Sequence, residues 1–389
     1  MNFQALVSSL LLLVGCSAAP SNVPERPPAP DDVPLVFIPG LTGSVLTTPD
    51  GKASWLTAAQ ALRLQTPDLS LPLRFSGDVQ ERDDLKPIGA LMTVKLIPTI
   101  VERRIYEPWI DYADHIRRRP LHVFSYDWRR DNGETVQLFE KYLEALRSRY
   151  GKAPMIVAHS MGGLITLALW NKRPELIDRA VFVGVPFRGG IGYLDNMYLG
   201  TPTGLNGAIL SPRALFSMPS VYSFYPAGQP WESTDSVEDE HGQLLHPDFF
   251  DPQTWRENGW GPFAPQNRSW AQQSPEELAF LTKLLERTKA FRKQFQPLPG
   301  AAHRPALVIT SEKYPTLARV RRIPKAAGES VPRWDFDAAA KEPGDESVLA
   351  RHAIPPEPIA HTVFLSSYNH SYLLNDPKVC ERIAQFLSE

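Results

Sequence analysis

The chain has 389 residues, of which 43% are hydrophobic and 22% charged, a composition that indicates a folded globular protein and excludes a disordered one. A net charge of −2 gives no basic field, so nucleic acid is not expected as a partner. The length allows one large domain with insertions, and the 38 prolines predict many loops.

The chain begins with an apolar run over residues 3–14 that is too short to span a bilayer. The run ends in Leu13-Val-Gly-Cys16, which is similar to the bacterial lipobox, where a small residue precedes a cysteine that becomes lipidated. We therefore predict a lipoprotein signal peptide over residues 1–16, with Cys16 as the lipidated residue. An ordinary secretory signal with an incidental cysteine is the alternative.

A Pro-rich tether is predicted over residues 17–33, which would hold the following domain away from a membrane. Ser17, directly after the lipidated position, favours the outer membrane, so the expected location is the cell envelope with a lipid anchor. The second cysteine, Cys380, is expected to be a buried residue of a C-terminal helix. Lipidation of the first cysteine would leave no internal disulfide.

Residues 34–389 alternate short apolar runs with helical patterns, which predicts an α/β fold with a mainly parallel sheet and helices on both faces. The runs are apolar throughout, as in strands that are buried on both faces. Strands are predicted at 35–38, 121–126, 155–158, 180–185, 305–310 and 361–366, and helices at 135–150, 161–172 and 376–388.

Two segments interrupt this alternation, at about 49–107 and 190–300. The first contains Trp55 and many prolines, the second contains four tryptophans with many prolines and glycines, and neither resembles a repeat or a low-complexity segment. We interpret the first as a lid that contacts the membrane and the second as a cap. Ser274-Pro-Glu-Glu277 predicts the start of a helix at the end of the cap, because serine at the N-cap and proline after it are typical of helix starts.

The run Met155-Ile-Val-Ala-His-Ser160-Met-Gly-Gly163 resembles a nucleophile elbow, in which a strand turns sharply at a serine and continues as a helix. Small residues are needed two positions on either side of the serine, and Ala158 and Gly162 occupy those positions. The pattern predicts Ser160 as an acyl-accepting nucleophile. A Ser-Met-Gly helix start without catalytic chemistry is the alternative.

A serine nucleophile needs a histidine base and an acid, which follow it in chain order in this type of fold. His370 follows the last predicted strand, at the same sheet edge as the serine. His361 begins that strand and is therefore expected at the opposite edge. Asp345 lies in a turn sequence and is the favoured acid, with Asp335 and Asp337 close enough in sequence to compete.

The oxyanion of the reaction needs two backbone N–H donors. Met161, directly after the serine, is predicted to supply one. The turn Pro39-Gly-Leu-Thr-Gly43 after the first strand is predicted to supply the other through Leu41, because both segments should end at one sheet edge. The alternative is that the glycines of this segment only form a turn.

Several further motifs recur in the order found in the lecithin:cholesterol acyltransferase family, which the chain resembles over about residues 34–389. They are Ile38-Pro-Gly40, Trp55-Leu56, Tyr126-Asp-Trp-Arg129, Ala158-His-Ser-Met-Gly162, Gly184-Val-Pro-Phe187, Met218-Pro-Ser220, Gly344-Asp-Glu-Ser-Val348 and His370. The Tyr-Asp-Trp-Arg motif is the most specific of these. The resemblance implies an α/β-hydrolase fold with lid and cap insertions.

By family position, the resemblance implies a triad of Ser160, Asp345 and His370, with Leu41 and Met161 as oxyanion donors. It also implies that Asp127 and Arg129 form a structural ion pair near the site. Animal members of the family tie a lid loop with a disulfide, whereas residues 17–379 of this chain contain no cysteine. Its insertions must then be held by packing.

We therefore hypothesise a serine-dependent O-acyltransferase or phospholipase that uses no metal ion and no cofactor. Its partners would be a phospholipid or other acyl lipid, an alcohol acceptor or water, and a membrane surface reached through the lipid anchor and the lid. Trp55 and Trp231 are candidates for sheltering the acyl chain. A plain esterase or lipase for neutral or soluble esters is the first alternative, and an inactive lipid-binding envelope lipoprotein is the second.

Overall fold

The structure is a computed structural model, and it describes residues 16–18, 29, 32–97, 101–117, 120–233, 236–296, 303–325 and 328–389. Residues 1–15 lie outside these ranges, as does most of the predicted tether. The signal peptide and the lipidation of Cys16 therefore stay predictions. Residues Cys16–Ala18 form a short strand that pairs with a strand of the first insertion.

The strands of the described ranges are short, apart from three long ones in the insertions and near the C-terminus. They are β1 (Cys16–Ala18), β2 (Leu35–Ile38), β3 (Ser44–Thr47), β4 (Ala53–Trp55), β5 (Phe75–Ser76), β6 (Val79–Gln80), β7 (Lys86–Ile97), β8 (Val101–Arg104), β9 (Leu121–Val123), β10 (Met155–His159), β11 (Arg179–Val183), β12 (Thr201–Thr203), β13 (Asn206–Leu210), β14 (Val237–Glu238), β15 (Leu244–Leu245), β16 (Ala306–Ser311), β17 (Tyr314–Ile323), β18 (Arg333–Gly344) and β19 (His361–Ser366).

The helices connect the strands and also form much of the second insertion. They are α1 (Ala58–Ala61), α2 (Glu107–Arg117), α3 (Asn132–Tyr150), α4 (Met161–Lys172), α5 (Leu194–Leu199), α6 (Pro212–Phe216), α7 (Pro252–Asn258), α8 (Pro275–Arg292) and α9 (Pro377–Phe386). Short 3-10 helices lie at Pro174–Leu176, Pro219–Phe224, Gly261–Phe263, Pro265–Asn267, Lys293–Phe295, Ala350–Ala353 and His370–Asn375. No helix in the described part of the chain has both the length and the apolar character needed to cross a membrane.

The central sheet contains all the predicted strands, in the order β19-β16-β11-β10-β2-β9, and every pair in it is parallel. Alternate residues of its strands enter two separate cores. One core packs β2 and β10 against α3 and α4, and the other packs the same strands against α2 and α9. The predicted α/β fold with helices on both faces is confirmed.

The last strand along the chain, β19, is more exposed than predicted. Strand β19 is at the edge, and Val363 and Leu365 on it remain 45% and 52% exposed. The expectation that every strand is buried on both faces was therefore wrong for β19. An apolar run in the sequence does not distinguish an edge strand with an uncovered face from a central strand.

The first insertion contributes β4, β7 and β8 to an antiparallel sheet with β1 and β3, in the order β1-β7-β3-β4 with β8 paired to β7. A buried guanidinium ties this insertion to the main domain. Arg129 donates to both carboxylate oxygens of Asp83, at 2.6 and 2.8 Å, and to both oxygens of Asp127, at 2.9 and 2.7 Å. The side chain of Arg129 is fully buried, whereas the side chains of Asp83 and Asp127 remain partly exposed.

The second insertion has its own aromatic core. Phe249 is stacked between Tyr225 and Trp260, with ring centroids 5.1 and 5.2 Å apart. The helix predicted at its end is α8, and Ser274 caps it by accepting a hydrogen bond from the N–H of Glu277 at 3.3 Å. Packing of this kind holds the insertion without a disulfide.

The long hairpin of β17 and β18 was missed by sequence analysis. Burial alternates along part of β17, where Thr316, Ala318 and Val320 are buried and their neighbours are partly exposed. This alternation is the pattern of a strand with one covered face. Sequence analysis assigned no strand to residues 314–323 or 333–344.

A fully buried ion pair joins α8 to an earlier segment of the cap, and a hydrogen bond from the same arginine clamps both to Phe187 of the main domain. Arg292 of α8 pairs with Glu232 and also donates to the carbonyls of Ser223 and Phe187, both at 2.7 Å. Glu232 in turn accepts from the N–H groups of Ala227 and Gln229, at 2.6 and 2.9 Å. Neither charged group has access to solvent, and burial lowers the pKa of Arg292.

Arg292→Met should lower the free energy of unfolding by about 3–5 kcal/mol, because it leaves the Glu232 carboxylate buried without its partner. Adding Glu232→Gln should recover part of the loss. Lys283→Met on the same helix removes a solvent-exposed ion pair with Asp78 and should cost at most ~1 kcal/mol. Urea unfolding followed by circular dichroism measures all three, and an equal loss for the two single variants would contradict the clamp.

Candidate active site

Ser160 lies at a sharp turn between β10 and α4 with φ 51° and ψ −124°, a conformation that is strained for a residue other than glycine. Its N–H donates to the carbonyl of Val183 at 2.8 Å, which fixes the turn. A Cβ added at Gly162 would lie 2.6 Å from the carbonyl oxygens of Ile38 and Pro39. The elbow therefore requires glycine at position 162, whereas the buried Ala158 fits two residues before the serine.

His370 begins the turn after β19 and lies beside the serine, as its position in the sequence predicts. Its Nε2 is 3.0 Å from the Oγ of Ser160, and its Nδ1 is 2.8 Å from the Oδ2 of Asp345. Since a carboxylate only accepts, Nδ1 carries the proton and Nε2 is free to accept from the serine hydroxyl. The three residues form one continuous hydrogen-bonded chain.

Asp345 is fully buried, and it is held from several directions. Its Oδ1 accepts from the N–H groups of Ser347 and Val348 at 3.0 and 2.6 Å, and its carbonyl accepts from the N–H of His370 at 2.7 Å. The competing Asp335 and Asp337 lie earlier in β18, where Asp335 accepts from the N–H of Ala338. His361 begins β19 and bonds to the carbonyl of Ile359.

The segment Gly40–Gly43 forms a turn directly beside the elbow. Its internal hydrogen bond runs from the N–H of Gly43 to the carbonyl of Gly40 at 3.0 Å, which does not use the N–H of Leu41. A Cβ added at Gly40 would lie 2.8 Å from the Cβ of Ser160, so only glycine allows this approach. Met161 is the first residue of α4, where N–H groups have no partner within the helix. Its role and that of Leu41 as oxyanion donors stay predictions.

Two buried residues beside the serine were missed by sequence analysis. His159 contacts the hydroxyl of Tyr106 through Nδ1 at 2.8 Å and the carbonyl of His370 through Nε2 at 3.0 Å. The same hydroxyl accepts from the N–H of Gly40 at 3.2 Å. Burial, and then the positive charge that His370 would carry, lower the pKa of His159 to about 3, so it stays neutral.

Through these contacts, Tyr106 and His159 join the turn at Gly40 to the backbone of His370. Because Nε2 of His159 faces a carbonyl, it donates, and Nδ1 accepts from the tyrosine hydroxyl. The sequence does contain a signal for the position of His159, because this histidine ends a buried strand directly before the nucleophile. No sequence pattern relates residue 106 to it, since the contact depends on how the first insertion folds.

Tyr106→Phe should lower kcat/KM about tenfold, because the turn predicted to supply an oxyanion donor loses the hydroxyl that accepts from the N–H of Gly40. Tyr150→Phe is the matched control, since it removes another buried Tyr–His contact, 3.1 Å from His122. Both variants should lose some stability, but only the first should lose activity towards a soluble acyl ester. Equal activity of the two variants would argue that the Tyr106 contact is only structural.

Ser160 and His370 open into a cavity of about 680 Å³. Its apolar wall is formed by the side chains Trp55, Leu56, Leu91, Val94, Ile105, Ile191, Leu210, Phe224 and Leu349. Both insertions contribute to this wall. The size and lining are typical of a site for a largely apolar small molecule.

The two tryptophans predicted to shelter the acyl chain lie in different parts of the structure. Trp55 lines the cavity, and its indole N–H donates to the carbonyl of Thr42 at 2.7 Å, beside the predicted oxyanion turn. Trp231 is not among the described residues of the cavity wall. It packs near Phe295, with ring centroids 6.4 Å apart, and its carbonyl accepts from Arg188. The geometry therefore does not bring Trp231 to the site, because the fold of the cap turns it toward the helix end at Phe295.

The predicted pair of Asp127 and Arg129 is formed, with Asp83 as a third member that the sequence did not indicate. The three residues lie at the junction of the first insertion and the main domain, outside the described wall of the cavity. Their hydrogen bonds hold the first insertion to the main domain, which is a structural role.

Known proteins resemble this chain in sequence and in fold. Residues 97–245 match the model of the lecithin:cholesterol acyltransferase family. The resemblance to this family that the sequence motifs indicated is thereby confirmed over this segment. The matched segment of this chain contains Ser160 but ends before Asp345 and His370. The roles of those two residues are inferred from the hydrogen bonds that they make.

Among individual proteins, lysosomal phospholipase A and acyltransferase of Canis lupus familiaris is 31% identical over 91 residues, which cover 21% of this chain and 22% of the relative. An uncharacterized protein of Saccharomyces cerevisiae is 25% identical over 238 residues, which cover 60% of this chain and 34% of the relative. The chain thus spans about a third or less of these curated relatives.

A chain in the crystal structure of the Tle4–Tli4 complex superposes with a TM-score of 0.56 and 15% identity, covering 90% of this chain and 96% of that chain. At that identity the likeness shows the fold alone. With the parallel sheet and the elbow at its edge, the fold is that of the α/β-hydrolases.

Proposed function

We propose that the protein is a serine-dependent acyl-transfer enzyme that takes an acyl group from a phospholipid or another acyl-lipid ester and passes it to an alcohol or to water. The observation that carries the proposal is the hydrogen-bonded chain from Ser160 through His370 to Asp345, which lies in a mostly apolar cavity of about 680 Å³. An acyl chain is the kind of ligand that such a wall favours.

In the proposed mechanism, His370 Nε2 takes the hydroxyl proton while Ser160 Oγ bonds to the ester carbonyl carbon. Asp345 holds the proton on Nδ1 and stabilises the imidazolium that forms. The N–H groups of Leu41 and Met161 donate to the oxyanion, supported by the positive end of α4. Collapse of the intermediate breaks the ester bond, and the departing alcohol takes the proton from His370.

The acyl group is then on Ser160 Oγ. An alcohol or a water molecule attacks its carbonyl carbon while His370 again accepts a proton. Collapse of this second intermediate returns that proton to the serine oxygen and releases the new ester or the free acid. Alcohol and water compete for the same acyl-enzyme, so one site supports both transferase and hydrolase activity.

The family match and the name of the lysosomal phospholipase A and acyltransferase support a lipid acyl hydrolase or acyltransferase as the broad class. A plain esterase or lipase for neutral esters would use the same residues. An inactive lipid-binding lipoprotein would have no need of a base aligned 3.0 Å from a strained serine.

We also propose that the mouth of the cavity faces a membrane. Leu205 and Leu64 are 73% and 66% exposed, and both follow residues of the cavity wall closely in the chain, namely Gly204 and Ala61. The N–H of Leu205 donates to the carbonyl of Ala61, which joins the two segments. Exposed leucines beside a lipid site favour contact with an acyl-chain surface. Anchoring through Cys16 in the cell envelope would keep the domain near that surface.

Mass spectrometry of the lipid products tests the proposal. The protein is incubated with mixed phospholipids, with and without a long-chain alcohol or a sterol, beside Ser160→Ala. Formation of new esters supports transfer, whereas free fatty acid alone in the presence of alcohol supports a phospholipase. Turnover confined to neutral esters would support the esterase alternative, and no turnover of any ester would overturn the enzymatic proposal.

A further inference from the structure

Arg103 is the one permanently charged side chain among the described residues that line the catalytic cavity. It is exposed, and it lies on β8 directly opposite Val94 of β7. Residues opposite each other on antiparallel strands point to the same face, and both of these line the cavity. The guanidinium is therefore at the solvent side of a mostly apolar wall that has no other permanently charged side chain among the described residues.

The charged residues nearest to Arg103 on this hairpin are already paired. Lys95 lies 3.6 Å from Glu102, its partner across the strands. Arg104, on the opposite face, lies 2.7 Å from Glu107, which also accepts from the hydroxyl of Thr93. Among the described residues, no carboxylate or carbonyl accepts a hydrogen bond from Arg103. A cation at the mouth of a cavity that no carboxylate of the described residues pairs with favours an anionic ligand.

We propose that Arg103 binds the phosphodiester group of the acyl donor and so selects phospholipids over neutral acyl esters. The inference rests on the proposed function and deepens it. With the acyl chain against the apolar wall and its ester at Ser160, the polar end of the donor is left at the mouth, where Arg103 lies. Guanidinium binds phosphate oxygens through two parallel hydrogen bonds, which makes arginine better suited than lysine to this task.

The neighbouring arginine supplies the matched control. Arg103→Gln should raise KM for dipalmitoyl phosphatidylcholine in mixed micelles about tenfold with kcat nearly unchanged. The same variant should leave turnover of dipalmitoylglycerol, which lacks the phosphodiester, at the wild-type level. Arg104→Gln should alter neither donor, and Arg103→Lys should lie between Arg103→Gln and wild type. An equal effect of Arg103→Gln on both donors, or no effect on either, would overturn the proposal.

A binding measurement separates this inference from the proposed function. In a Ser160→Ala background, adding Arg103→Gln should weaken binding of a short-chain phosphatidylcholine about tenfold and leave binding of the matching diacylglycerol unchanged. Unchanged phosphatidylcholine affinity would overturn the headgroup site even if turnover confirmed the enzyme. Displacement of the lipid by millimolar inorganic phosphate would indicate a free-anion site and would also overturn it.

Discussion

Ser160→Ala should lower the rate of acyl transfer on the order of 10⁵-fold, because no other hydroxyl can replace one that is aligned with both a base and the oxyanion donors. The fold should be retained, since within the described part of the chain the serine side chain hydrogen-bonds only to His370, and the strained turn is held by the backbone. Labelling with a fluorophosphonate probe and release of fatty acid from phospholipid measure the two parts of this expectation.

The control is Ser148→Ala, which changes an exposed serine on α3 and should leave labelling and turnover at the wild-type level. Thermal unfolding of both variants should match wild type within a few degrees. Probe labelling that persists in Ser160→Ala would show that another residue is the nucleophile.

Asp345→Asn should have the second largest effect, a loss of about 10³–10⁴-fold in kcat. The asparagine carbonyl would still accept from the N–H groups of Ser347 and Val348, so its NH₂ would face His370. The imidazole would then accept at Nδ1 and carry its proton on Nε2. In that tautomer it has no lone pair for the serine hydroxyl.

Asp335→Asn and Asp337→Asn test the competing acids and should each retain near wild-type kcat. Their carboxylates lie on β18, where they take no part in the hydrogen bonds of His370. If either of these variants lost more activity than Asp345→Asn, the acid would have been assigned wrongly.

Much of the central sheet was predictable because its signals are local. Each of the predicted strands is a short apolar run between turns, and the parallel order follows from helices that connect strand to strand. The elbow was also local, since small residues two positions from Ser160 are needed wherever strand and helix meet so closely. His370 followed from its place after the last strand of this sheet.

Two side chains that sequence analysis missed, Tyr106 and Asp83, depend on contacts between distant segments. Tyr106 reaches His159 across 53 residues, and Asp83 reaches Arg129 across 46. Neither side chain is marked by a pattern in its own segment. Trp231 was predicted at the cavity but lies elsewhere. The sequence could not decide its position, because a tryptophan in a cap is equally suited to the cavity and to the core of the cap. Only the packed insertion places it beside Phe295.

The central claim is that Ser160 carries the acyl group between donor and acceptor. It is tested most directly by mixing the protein with phospholipid, quenching in acid and locating the adduct by mass spectrometry of the digested chain. We predict a mass increase of one acyl chain on the peptide that contains Ser160, and its loss when an alcohol is added before the quench. An adduct on another residue such as Cys380, or turnover of phospholipid with no adduct on the peptide of Ser160, would contradict the account.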